Sequence, residues 1–186
     1  MVKIQMPSAN SSIERFVQSL RRGANLIQNL SDEVYARGGR SPVGGHFRHI
    51  VEFVFRFTEG VEIGKVDYHR RQRDRRIEQD RDYAVSRFNA AINGLRNLPA
   101  DTEHKRILLR LETSGLQDEE WCISSVLREL EYLQSHTIHH YALIAEKLSA
   151  QNVEVEKDFG VAPSTLEFWK KALGPENFAY RQIVGL

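Results

Sequence analysis

Three imidazoles fall within five positions, His136, His139 and His140, in the stretch ELEYLQSHTIHHYALIAEKL covering residues 129–148. Histidine is a middling helix former, so propensity does not explain the cluster. The stretch reads as an amphipathic helix, and each residue turns it by about 100°. With Leu133 as origin, Val126 and Ile144 fall at about +20°, Thr137 at about +40°, and Leu130 and Leu148 at about +60°. His140 then lies at about −20°, inside the apolar stripe, and His136 at about −60°, on its edge. His139 lies at about −120°, turned away. His136 and His140 are an i,i+4 pair leaning inward. Such a pair can hold one divalent metal, because neutral imidazole is a common ligand for Zn, Ni, Cu and Fe. Two donors do not complete a site, since a catalytic zinc commonly takes three protein ligands and leaves one position open.

A third donor can come from GGHFRHIVEF, where His49 precedes the stripe residue Ile50 and His46 shares part of the same face. Without a metal, these five histidines would be polar residues at the core edge and on the surface. His69 and His104 lie in charged connections and read as exposed. Glu129 shares a face with His136 and His140. It reads first as a surface or capping acid, and alternatively as an acceptor behind the metal ligands.

The elements that would carry these side chains follow from periodicity. A first helix over 12–29 places Ile13, Phe16, Val17, Leu20, Ala24 and Ile27 on one face, with NSS as its cap. A second, over 43–61, has the stripe Val43, Phe47, Ile50, Val54, Phe57 and Val61. A third, over 81–98, turns Tyr83, Phe88, Ile92 and Leu95 inward. The fourth covers 125–150. HKRILLRLETS and EEWCISS, joined by GLQD, read as a small β-hairpin before that last long helix. A short terminal helix comes last, capped by Ser164 or Thr165. The expected fold is therefore all-α, an antiparallel four-helix bundle with a small hairpin. The bundle domain is expected over 1–174 and a tail over 175–186.

Bulk properties narrow the function. The 186 residues suffice for one domain with a sizeable core. Lys+Arg (26) and Asp+Glu (25) nearly cancel, which argues against a broad nucleic-acid footprint. The stretch KVDYHRRQRDRRIEQDRD mixes both signs and reads as a solvated connection; a basic patch for phosphate is the sharper alternative, weakened by the interleaved acids. No apolar run spans a bilayer and no secretory signal is visible. With Cys122 as the only cysteine, a reducing cytoplasm is expected. Cys122 itself, among apolar neighbours, reads as a buried structural thiol.

VGGHFRHIVEF, VDYHRRQRDRRIEQD, SSVLRELEYLQSHTIHHYALI and DFGVAPST together resemble the DinB/YfiT-like group of metalloenzymes, and within it a bacterial DinB-like branch. These motifs cover much of the chain from residue 43 to residue 165. The resemblance implies a three-histidine metal site with ligands at His49, His136 and His140 and a divalent transition metal (Zn, Ni or Fe). It implies a transferase, of thiol S-transferase type, or a hydrolase acting on a small molecule, with a low-molecular-weight thiol as a possible cosubstrate and a homodimer as the assembly. Where related chains often carry a further histidine, this one has Phe53. A metal- or ligand-binding bundle without catalysis is the competing expectation.

Overall fold

The computed structural model describes residues 10–37, 42–99, 101–110 and 121–172. They are mostly helical, with one small sheet. By their contacts they divide into two compact units, Met1–Gln134 and Ser135–Leu186.

The first unit holds α1 (Asn10–Asn29), α2 (Asp32–Ala36), α3 (Val43–Ile63), α4 (Arg76–Gln79) and α5 (Arg81–Arg96). The predicted stripe of α1 is buried throughout, and so is that of α3. α3 buries additional residues, including Val51 and Phe53, so it is apolar around most of its circumference. This suits a helix in contact with α5, α4 and a strand together. α5 also packs along α1. In α5 the buried set is Ala84, Phe88, Ala91, Ile92 and Leu95. Tyr83 is only half-buried, because its hydroxyl donates to Asp74 Oδ2 at 2.9 Å and its backbone N–H is taken by the capping Asp80. The expected cap of the first helix also shifts: α1 already includes Asn10, so NSS lies inside it.

The charged stretch is less solvated than its composition implies. Gly64 ends α3 in a left-handed turn with φ 74, and β1 (Lys65–Asp67) begins at once. β1 pairs in parallel with β2 (Arg106–Arg110), Val66 opposite Leu109. β3 (Cys122–Ser125) pairs antiparallel on the other side of β2, Cys122 opposite Leu109. The expected hairpin is thus two strands of a three-stranded sheet ordered β1-β2-β3; its connection GLQD lies outside the described residues. Val66, Asp67, Tyr68 and Ile77 are buried, while His69, Arg70, Arg73, Arg75 and Arg76 are exposed. Cys122 is a second correction. It is exposed: among the described residues β3 is the outer strand, and neither face is covered there, since its neighbour Ile123 also faces out at 75 % exposure.

α6 (Val126–Ser149) runs from the first unit into the second. In the second unit a turn succeeds α6, and residues 163–172 are helical. The N–H groups of Thr165 and Leu166 both donate to Ala162 O, so Ser164 and Thr165 sit within the first turn rather than capping it. The expected tail 175–186 lies outside the described residues.

Candidate metal centre

In the second unit, α6 sorts its histidines as its rotation requires. His136 and His140 are half-buried and His139 is exposed, with Thr137, Tyr141, Ile144 and Leu148 buried. The Nε2 atoms of His136 and His140 face each other at 3.2 Å, with the rings nearly perpendicular at 82°. Two nitrogens bound to a tetrahedral zinc at about 2.0–2.1 Å stand about 3.3–3.4 Å apart. The pair therefore has the separation of two donors on one ion. An N–H···N hydrogen bond between two neutral rings has the same length, and the tautomer decides between them.

The segment after α6 packs back onto this part of the helix. Phe159 stacks on Tyr141 with ring centres 4.4 Å apart and planes 19° apart. Gly160 lies against the α6 backbone with φ 80, so close that a Cβ there would sit 2.3 Å from the backbone N of Ala142. DFGVAPST is thus a clamp on the turn of α6 just past His140. The motif was visible in the sequence; the reason for its glycine was not.

In the first unit, His49 is half-buried on α3, its ring 4.7 Å from that of Phe53. Phe53, 1 % exposed, is the centre of an aromatic group. It stacks on Tyr68 at 4.9 Å, carries the Arg71 guanidinium 4.5 Å over its face, and lies 6.5 Å from Tyr132 of α6. The position where a further histidine is expected is filled by packing. His46, in the first turn of α3, is buried at 9 % exposure. His69 and His104 are exposed, as their surroundings in the sequence suggested.

Glu129 is neither a surface acid nor a cap. It is 3 % exposed and accepts from the Ser124 hydroxyl at 2.7 Å and the Tyr68 hydroxyl at 3.2 Å. The cap is Ser125, whose Oγ accepts the Arg128 N–H. Burial raises the pKa of Tyr68 well above the usual tyrosine range, and the Glu129 charge adds to the rise; the phenol stays a donor. Glu52 is a second buried acid, within GGHFRHIVEF but not singled out there as a site residue. It takes the Asp74 N–H at 2.7 Å and pairs with Arg48 at 3.6 Å. Burial raises its pKa, and Arg48 partly offsets the rise. Arg48 also binds Glu78 at 2.8 Å.

No protein-family model, curated protein or solved structure matches the chain.

Proposed function

We propose that His49, His136 and His140 hold one divalent transition metal, Zn, Ni or Fe, and that the chain is a metal-dependent enzyme acting on a small molecule as a transferase or hydrolase. The observation that carries this is the 3.2 Å facing of the His136 and His140 nitrogens, the separation two donors keep on one ion.

The proposed fold is an antiparallel bundle of α1, α3, α5 and α6, as in the DinB/YfiT-like group. His49 is chosen as the third donor on the resemblance to that group.

Three neutral imidazoles bring no negative charge, so the full charge of a bound ion would be felt by whatever occupies its open position. What the ion would supply is Lewis acidity toward a water or a thiol, which makes a nucleophile available at neutral pH. The chain's own part is to hold the donors: the Phe159 and Gly160 clamp fixes the turn after His140, and the Phe53 ring fixes the His49 imidazole. A low-molecular-weight thiol as cosubstrate, a homodimer and a cytoplasmic location belong to the same proposal. No described helix is long and apolar enough to cross a membrane.

The test is metal content of protein purified without a histidine tag, then thiol-transfer and hydrolysis assays of the loaded protein. One equivalent of metal with turnover supports the proposal. Metal without turnover on any substrate class would leave a binding bundle.

A further inference from the structure

A cleft of about 100 Å³ opens beside α3 in the first unit, lined by Glu52, Phe55, Arg56 and Glu59 of α3, Asp74 of the loop after β1 and Arg87 of α5. Its carboxylates are already engaged. Glu52 accepts the Asp74 N–H and pairs with Arg48. Asp74 accepts the Arg76 N–H at 3.0 Å on one oxygen and the Tyr83 hydroxyl at 2.9 Å on the other. Glu59 pairs with Arg56 at 2.8 Å. Arg56 in addition donates from Nε to Asp67 O at 3.2 Å.

Arg87 is the exception. Its guanidinium lies 4.1 Å over the Phe55 ring, and its Nε is shielded from solvent with no hydrogen-bond partner. Among the described residues it forms no ion pair. Nothing in the cleft can reach that shielded atom; the terminal N–H groups of the guanidinium, which line the cleft and have no acceptor among the described residues, are the ones a guest would meet. A guanidinium stacked on an aromatic face presents its fork of donors in the geometry that suits a carboxylate. The cleft admits a small guest. Phe55 and the buried Ile77 offer such a guest an apolar wall.

We propose that this cleft is a binding site for a small monocarboxylate, whose oxygens are taken by Arg87 and whose carbon chain lies against Phe55 and Ile77. The site stands apart from the metal proposal and does not need it.

The probe is acetate, titrated calorimetrically into the full chain against chloride at equal ionic strength, with melting curves in both salts. One acetate per chain should bind saturably, and acetate should raise the melting temperature above that in chloride. Arg87→Met, which keeps an apolar stem on Phe55, should weaken acetate at least tenfold and abolish the temperature difference. If that variant fails to fold, Arg87→Lys decides, since it retains the charge but loses the fork: weaker binding supports the site, and wild-type affinity overturns it. Equal effects of acetate and chloride, unchanged binding by Arg87→Met, or binding of methylammonium in place of acetate would each overturn it.

Discussion

Replacing Gly160 by alanine tests whether the segment after α6 holds the turn just past His140. Two costs add. A non-glycine residue at φ 80 loses about 1–2 kcal/mol to backbone sterics. The new Cβ would meet the Ala142 N at 2.3 Å and the Tyr141 carbonyl carbon at 2.7 Å, both backbone atoms that no rotamer change can move. Overpacking of this kind costs about 1–3 kcal/mol. The sum is about 2–5 kcal/mol, or a melting temperature lower by about 4–20 °C for a chain of this size. Gly64 supplies the control. It has nearly the same conformation, φ 74, but a Cβ there meets nothing within 4 Å. Gly64→Ala should therefore lose only the first term, about 1–2 kcal/mol. Urea unfolding of the two variants side by side isolates the contact with α6 as the difference between them. Equal losses would show that this contact is loose and that the clamp does not exist.

Tyr68→Phe keeps the stack on Phe53 but removes one of the two donors to buried Glu129; it should destabilise by about 1–3 kcal/mol, and Glu129→Gln made on that background should recover part of the loss in urea unfolding. A double variant no more stable than Tyr68→Phe would mean that Glu129 does not depend on the phenol. Glu52 carries a pH signature: burial raises its folded pKa, with Arg48 opposing. The folded chain then binds the proton more tightly than the unfolded one. The associated stability is present below the unfolded value of about 4.3 and is lost as pH rises through the folded value. Wild-type stability should decline over that window relative to Glu52→Gln, whose amide does not titrate, and a difference that moves the other way would refute the assignment.

The long helices were legible because each buries one stripe, and three- and four-residue spacing encodes a stripe directly. The limits of α3 and α6 match expectation closely, and the exposure of His139 beside half-buried His140 is a consequence of rotation alone. The features that were not legible depend on partners distant in sequence. β1 is three residues long and bordered by charge, too short to show a strand period, and its existence depends on β2 some forty positions on. Glu129 reads as solvated until Tyr68 and Ser124 are brought to it. Cys122 sits among apolar letters yet faces out, because neither face of β3, the outer strand among the described residues, is covered at that point. Arg87 looks like any helical arginine until Phe55 is found beneath it.

The claim that matters most is that three histidines on two helices hold one metal. Elemental analysis of tag-free wild type and of His49→Ala, His136→Ala, His139→Ala and His140→Ala, each incubated with Zn, Ni and Fe(II) and then desalted, addresses it directly. About one equivalent is expected in wild type and in His139→Ala, and loss of most of it in the other three, since each removes one of three protein donors. A wild type that retains none of the three metals, or a His139→Ala variant that loses metal while His140→Ala keeps it, would contradict it.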